Sequence, residues 1–233
     1  MSFQGVDYYD IDSLLSAEEK MTRTMVREFM AKEVESLVAD AFHREEPPDM
    51  RTLAPKMGKL GMIGAFIPEE YGTAGVNYVT FGLICQEVER VDSAFRSFIA
   101  VESGLVMYPI WQFGSSEQKR KWLPMLGSGE KIGCFGLSEP NSGSDPGSME
   151  TTAKRDGDGW IINGTKQWIS EASMADIAVV WARTEEGIRG FLVERDTAGF
   201  SQTFQKNKGS MRAGDVGELG FSDCRLPFEN ILP

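Results

Sequence analysis

The sequence predicts an α+β protein, in which an all-helical N-terminal domain is followed by an antiparallel β-barrel or β-sandwich domain. Two observations support this class. Apolar residues recur at helical spacing up to about residue 130, and from residue 131 they alternate with polar residues. We therefore place the domains at 1–130 and 131–233. With 41% hydrophobic residues, the 233-residue chain is long enough to bury a core.

The helical half contains two capping-box patterns, in which a Ser is followed three residues later by Glu or Gln. Ser16 with Glu19 begins a long apolar stripe, and Ser115 with Gln118 begins a helix that we expect to end near Gly127. Further apolar, helical segments are predicted at residues 51–64, 78–90 and 94–114.

Turn-forming dipeptides separate the predicted strands. Asp158-Gly159 and Asn163-Gly164 are both typical of β-hairpins, and β-branched and aromatic residues flank them. Short strands separated by turns continue to the end of the chain, which indicates a compact antiparallel domain.

Composition excludes several classes of function. A net charge of -11 and a pI near 4.7 leave no surplus of basic residues for a nucleic-acid partner. The sequence has no signal peptide and no apolar window long enough for a membrane span, so we expect a cytoplasmic protein. Its three cysteines are widely separated, which predicts reduced thiols and no metal site, and a single histidine disfavours a catalytic triad.

Two segments of the β half are candidates for a binding site. The stretch CFGLSEPNSGSD (residues 134–145) offers hydroxyls and the amides of Gly143 and Ser144 to a phosphate or a polar ring edge, although such clusters are more often plain turns. In KQWIS, the residue type favours a core position for Trp168; the alternative is that Trp168 flanks a flat heteroaromatic ligand together with Ser170.

Arg96 is a third candidate because it is a cation within a very apolar helix. A buried guanidinium needs an anionic partner. The partner is either a carboxylate of the chain, Glu89 or Glu102, or an anionic group of a ligand, and the sequence leaves these alternatives open.

Several long motifs are similar to those of a known family. CFGLSEPNSGSD followed by NGTKQWIS resembles the flavin-binding signature of the acyl-CoA dehydrogenases. EVERVDSAFRS, LVMYPI and MADIAVVWAR resemble the glutaryl-CoA dehydrogenase branch of that family. The family combines an N-terminal helical domain, a middle β domain and a C-terminal helical bundle. The resemblance thus implies the same α+β order as the periodicity.

The resemblance also implies roles for individual residues. FAD would be bound by Phe135, Gly136, Leu137, Ser138, Gly143, Ser144, Trp168, Ile169 and Ser170. Within this set Ser138 would bond the pyrimidine edge and Ser170 would lie near N5, while Gly143 and Ser144 would lie where the flavin and the CoA thioester meet. The acyl-CoA substrate would be bound by Arg96, Ser97, Ser144 and Glu89, with Arg96 and Ser97 facing a distal carboxylate.

The implied reaction is α,β-dehydrogenation of a dicarboxylyl-CoA such as glutaryl-CoA, with optional decarboxylation to crotonyl-CoA. A carboxylate base removes an α-proton while a hydride passes to FAD. Phe98, Ile99 and Ala100 stand where the glutaryl branch has small and hydroxyl residues. A larger succinyl-type thioester such as benzylsuccinyl-CoA, or a non-oxidising, desulfinase-like role, therefore remains an alternative.

The sequence ends at ENILP, where the family's middle domain is followed by its C-terminal bundle. In the family that bundle supplies the catalytic base, so we expect no catalytic carboxylate in this chain. The resemblance further implies a homotetramer for the full-length protein and an electron-transferring flavoprotein as the electron acceptor.

Overall fold

The N-terminal half of the chain is helical. A computed structural model describes residues 6–233. Within them lie seven α-helices and one π-helical segment: α1 (Ala17–Glu33), α2 (Glu35–Arg44), α3 (Met50–Lys59), α4 (Tyr78–Glu89), α5 (Ser93–Ala100), the π-helical segment (Val101–Met107), α6 (Tyr108–Phe113) and α7 (Ser116–Gly127). Among these residues no helix has both the length and the apolar character that crossing a bilayer demands.

Both predicted capping boxes are confirmed. The Ser16 hydroxyl accepts a hydrogen bond from the Glu19 amide, and the Glu19 carboxylate accepts one from the Ser16 amide. Ser115 and Gln118 make the same reciprocal pair at the start of α7. Each box satisfies amide groups that the first helical turn leaves without partners, which is why the sequence pattern locates both helix starts.

The predicted helix at 94–114 changes its geometry in the middle, where the π-helical segment separates α5 from α6. Two consecutive polar residues of this segment are buried and bond outside it. The Glu102 carboxylate accepts from the Gly133 amide at 2.8 Å, and the Ser103 hydroxyl accepts from the Gly64 amide at 2.9 Å. The wider π turn thus connects the helices to the first strand.

The β half forms one seven-stranded sheet. Its strands are β1 (Gly133–Gly136), β2 (Thr152–Asp156), β3 (Gly159–Ser170), β4 (Ile177–Thr184), β5 (Gly187–Glu194), β6 (Phe200–Gln202) and β7 (Val216–Pro227). The strand order is β1-β4-β2-β3-β7-β6, and β5 pairs with β4. The predicted α+β class, helices first and a β domain second, is confirmed.

The sheet is mixed, which corrects the expectation of a purely antiparallel domain. β1 runs parallel to β4, and β2 meets β4 in parallel at Thr152 and Arg183. The other pairings are antiparallel. The chain between β1 and β4 holds a loop and the β2–β3 hairpin, and a connection of that length allows two strands to run in the same direction.

One predicted hairpin is confirmed and the other is wrong. β2 and β3 are joined by a two-residue turn, Gly157-Asp158, which lies one position before the predicted dipeptide. Asn163-Gly164 is not a turn, because it lies inside β3 at a register shift against β7. The Asn163 side chain bonds there to Asp223, so an Asn-Gly pair serves as a β-bulge within one long strand.

The two halves share a hydrophobic core through β4. Its side chains alternate: Ile177 and Val179 pack with the helices, and Ala178 and Val180 pack with the strands. An ion pair between Arg51 of α3 and Asp176, at 2.5 Å, also joins the halves. The helices therefore cover one face of the sheet, and a groove lies where their edge meets the ends of β1 and β3.

Candidate functional site

A groove of about 350 Å³ lies between the π-helical segment and the ends of β1 and β3. Its lining consists of Val101, Leu105, Phe135, Leu137, Ser138, Trp168, Ile169 and Ser170. The last six belong to the predicted flavin-binding set, and they come from two segments far apart in the sequence. The groove combines apolar walls with two hydroxyls, which suits a flat heteroaromatic ligand with a polar edge.

Hydrogen bonds hold the two segments side by side. The Gln167 amide donates to the Ser138 carbonyl at 2.9 Å. The Lys166 ammonium donates to the Leu137 carbonyl at 3.0 Å. Residues adjacent to the groove on β3 therefore set the position of the chain that leaves β1.

A buried ion pair, which the sequence analysis missed, lies next to the groove. Lys166 Nζ is 2.7 Å from Glu139 Oε1, and the two side chains are 0% and 4% exposed. Glu139 also accepts hydrogen bonds from the amides of Glu150 and Thr151. The sequence carries little signal for this pair, because the residues next to Lys166, Thr165 and Gln167, are both polar.

Burial affects the pKa values of the two members of this pair differently. It lowers the pKa of the Lys166 ammonium, and the hydrogen bond that the ammonium donates to Glu139 opposes that shift. For Glu139 burial alone would raise the pKa, but the hydrogen bonds from Lys166 and from the two backbone amides outweigh it and lower the pKa. Burial thus disfavours the charged form of both groups, and the hydrogen bond between them favours it.

Trp168 does not fill the core, so the core position that its residue type favoured is wrong. The residue is 60% exposed and has a φ of 62°, at a register shift between Gln167 and Ile169. A left-handed backbone is uncommon for a bulky residue and costs about 1–3 kcal/mol. The bulge turns the indole toward the open edge of the groove, while the next residue, Ile169, is buried.

Three other residues of the predicted flavin-binding set lie outside this lining. Gly136 is buried, and a Cβ atom there would approach Lys166 Cγ to 3.3 Å and Leu219 Cδ1 to 3.1 Å. Gly143 and Ser144 are exposed in the loop that follows the groove. The flavin and thioester roles of these three residues stay predictions.

Arg96 is half-exposed, contrary to the expectation that it would be buried. Its Nε lies 2.8 Å from Glu89 Oε2, and the side chains are 39% and 45% exposed. Hydrogen bonds from the Ser93 hydroxyl and from Arg96 lower the pKa of Glu89. Within residues 6–233 the guanidinium bonds through Nε alone, which leaves its terminal nitrogens able to bind another carboxylate. The substrate roles of Arg96, Ser97, Glu89 and Ser144 stay predictions.

Three further carboxyl groups are buried. Glu102 is in the π-helical segment, Glu171 follows Ser170, and Asp215 precedes β7. Burial raises the pKa of all three, and the negative charge of Asp215 raises that of Glu171 further. Among the residues that the structure describes, Glu102 Oε2 and Asp215 Oδ1 have no hydrogen-bond partner.

The buried Glu102 leads to a pH-dependent prediction. Because its folded-state pKa is raised, the folded chain binds a proton that the unfolded chain releases above about pH 4.5, and stability falls as pH rises from there to the folded-state pKa. Glu102→Gln removes this loss. We expect the difference in the free energy of unfolding, variant minus wild type, to be at least about 1 kcal/mol more positive at pH 8 than at pH 5.

Urea denaturation at the two pH values measures this difference. Glu185→Gln, which changes an exposed carboxylate, is the control and is expected to behave alike at both. A Glu102→Gln effect that is the same at pH 5 and pH 8 would contradict the prediction.

The fold and the groove agree with the matches to family models. The model for the acyl-CoA dehydrogenase N-terminal domain matches residues 16–130, and the model for the acyl-CoA dehydrogenase middle domain matches residues 134–224. The chain belongs to the acyl-CoA dehydrogenase family.

Two members of the family illustrate the degree of similarity. A Mus musculus protein, the mitochondrial short-chain specific acyl-CoA dehydrogenase, is 37% identical over 223 residues, which cover 94% of this chain and 54% of the relative. The Mycobacterium smegmatis glutaryl-CoA dehydrogenase, solved in complex with FADH2, is 45% identical with a TM-score of 0.94, covering 97% of this chain and 57% of that one.

A third match is a chain in the structure of the electron transferring flavoprotein of Acidaminococcus fermentans. It is 33% identical with a TM-score of 0.87, covering 97% of this chain and 59% of that chain. The present chain thus spans about half the length of the curated relatives that it matches.

Proposed function

We propose that this chain forms the flavin and thioester side of an FAD-dependent acyl-CoA dehydrogenase that acts on a dicarboxylyl-CoA such as glutaryl-CoA. The observation that carries the proposal is the groove in which Phe135, Leu137 and Ser138 meet Trp168, Ile169 and Ser170. Similarity to a glutaryl-CoA dehydrogenase solved with FADH2 supports FAD as the cofactor.

The residues of the groove fit an isoalloxazine ring. Trp168 offers an exposed aromatic face, and Ser138 and Ser170 offer hydroxyls to the polar ring edge. Val101 and Leu105 form an apolar wall on the helical side. When bound, FAD supplies the acceptor for a hydride from the β-carbon of the acyl group.

The chain's own residues bind and orient in this proposal. The apolar wall of the π-helical segment excludes water from the reacting carbons, and the two serine hydroxyls hold the ring in place. Gly143 and Ser144, in the exposed loop after β1, are proposed to bind the thioester arm. An electron-transferring flavoprotein is the proposed electron acceptor, which similarity to a chain in such a structure supports.

Two observations favour a dicarboxylyl substrate. Arg96 is accessible and bonds through Nε alone within residues 6–233, so its terminal nitrogens suit a distal carboxylate. Identity to the glutaryl-CoA dehydrogenase is 45%, against 37% to the short-chain enzyme. The second candidate is a short-chain monocarboxylic acyl-CoA, which the similarity to that enzyme favours.

Anaerobic titration of the FAD-loaded dehydrogenase of which this chain is proposed to form the flavin side tests these functions. Glutaryl-CoA is expected to bleach the flavin absorbance more efficiently than butyryl-CoA, and formation of crotonyl-CoA would show decarboxylation. Preference for butyryl-CoA would favour the second candidate, and bleaching by benzylsuccinyl-CoA alone would indicate a larger succinyl-type substrate. Flavin that stays oxidised with every thioester would indicate a non-oxidising relative.

Loss of the Trp168 indole is expected to weaken FAD binding. Stacking of a flat ring on an aromatic side chain contributes about 1–3 kcal/mol, so Trp168→Ala should raise the FAD dissociation constant roughly fivefold or more. Flavin fluorescence titration measures it. Phe113→Ala removes an exposed aromatic side chain outside the groove and should leave the constant unchanged. Equal affinities of Trp168→Ala and wild type would reject the flavin role of Trp168.

Arg96 is expected to determine preference for a dicarboxylyl thioester. Hydrogen bonds to a charged group contribute about 1.5–3 kcal/mol, so Arg96→Ala should lower kcat/KM for glutaryl-CoA at least roughly tenfold and change that for butyryl-CoA little. Steady-state kinetics with both thioesters decide this. Arg120→Ala removes an exposed ion pair with Glu117 and serves as the control. An equal loss with both substrates would eliminate the anchoring role.

A further inference from the structure

Lys166 reaches the groove wall from the buried side of the sheet. Its stem passes Gly136, where a Cβ atom would lie only 3.3 Å from Lys166 Cγ. Its ammonium then bonds both the Leu137 carbonyl, at 3.0 Å, and Glu139 Oε1, at 2.7 Å. The absence of a side chain at Gly136 thus leaves the space through which a buried cation contacts the back of the groove wall.

The ion pair joins three separate segments of the chain. Lys166 belongs to β3, Glu139 follows the groove wall, and the Glu139 carboxylate accepts the amides of Glu150 and Thr151 from the chain just before β2. Next to Lys166, the Gln167 amide bonds the Ser138 carbonyl at 2.9 Å. Two consecutive residues of β3 therefore hold two consecutive carbonyls of the groove wall.

We propose that Lys166 is a positioning residue for this groove: paired with Glu139, its ammonium fixes the Leu137 carbonyl and sets the spacing between the wall at 135–138 and the wall at 168–170. The identity of the ligand, FAD, rests on the proposed function. The spacing of the two walls does not depend on the proposed function, because it is a property of the ligand-free chain.

A buried ion pair is a costly way to stabilise a fold. Neutral side chains of similar volume often stabilise a protein as well or better, because they avoid the desolvation of two charges. Lys166 and Glu139 are almost fully buried, and each lies within three residues of a residue that lines the groove. Their position accords with a role in holding the groove walls.

The double variant K166M/E139Q separates positioning from stability. It removes both charges together, so no unpaired charge is left inside, while the side-chain volumes stay close to those of the native pair. The Leu137 carbonyl loses its ammonium donor. K121M/E194Q is the matched control, because it removes a Lys–Glu pair whose side chains are 52% and 49% exposed and which lies away from the groove.

Two readouts are taken on folded protein, checked by circular dichroism. In the ligand-free chain, exchange of the Gln167 amide measured by NMR should accelerate at least roughly tenfold in K166M/E139Q and stay unchanged in the control. The FAD dissociation constant should rise at least roughly tenfold. If K166M/E139Q does not fold, Glu139→Asp, which keeps both charges but shortens the reach, is measured in its place.

The outcomes distinguish the two proposals. If wild type binds no FAD, the proposed function fails, and the Gln167 exchange rate alone decides the role of Lys166. If wild type binds FAD and the folded variant keeps both the native exchange rate and the native affinity, Lys166 is merely structural and the inference is overturned.

Discussion

Replacing Lys166 by Met is expected to lower the free energy of unfolding by about 3–5 kcal/mol, because it leaves the buried Glu139 carboxylate without its cation. Glu139 is 6% exposed, so water cannot compensate for the lost charge. The amides of Glu150 and Thr151 would remain as its partners, and they neutralise only part of the negative charge.

Urea denaturation followed by circular dichroism measures this loss. K166M/E139Q is expected to recover most of it, since removal of both charges leaves no unpaired ion. Lys121→Met, at an exposed ion pair, should cost less than about 1 kcal/mol. A loss for Lys166→Met as small as that for Lys121→Met would show that the pair is not electrostatically coupled in the fold.

Gly164→Ala is expected to destabilise the β half by about 3 kcal/mol, from backbone strain and overpacking together. Gly164 has a φ of 147°, which L-residues rarely adopt. A Cβ atom there would lie 2.4 Å from Thr151 Oγ1 and 2.7 Å from Thr151 Cα. Thr151 is fully buried and cannot move aside without disturbing the chain that enters β2.

Two other glycines separate the contributions to this effect. Gly157 also has a positive φ, 61°, but a Cβ atom there meets nothing within 4 Å, so Gly157→Ala should cost only about 1 kcal/mol of strain. Gly209 has open space as well and φ outside the left-handed region, so Gly209→Ala should be nearly neutral. Thermal unfolding of the three variants measures these differences. A melting temperature of Gly164→Ala that is no lower than that of Gly157→Ala would refute the clash with Thr151.

Elements whose signals are local were predicted well from the sequence. The capping boxes at Ser16 and Ser115 lie where the pattern placed them, because a cap is a bond between residues three apart. The β2–β3 hairpin was located to within one residue for the same reason. The two segments that form the groove could also be identified from the sequence, because residues of the motifs at 134–145 and 166–170 line it together.

Features that depend on distant partners were predicted wrongly or not at all. Asn163-Gly164 has the local preference of a turn, but pairing with β7 continues the strand through it. Trp168 has the character of a core residue, yet a bulge turns it outward, so that it is 60% exposed. Arg96 is half-exposed because its helix presents it beside Glu89 at the surface and not within the apolar core.

Residue types and their spacing were sufficient for the α+β class, the helix starts and the two segments that form the groove, since each follows from side chains close together in the chain. The parallel β1–β4 pair, the π-helical contact from Glu102 to Gly133 and the Lys166–Glu139 pair came only from the folded structure. Each joins residues far apart in sequence, so a local pattern cannot indicate the partner, and the low dielectric of the folded interior sets the strength of such polar contacts.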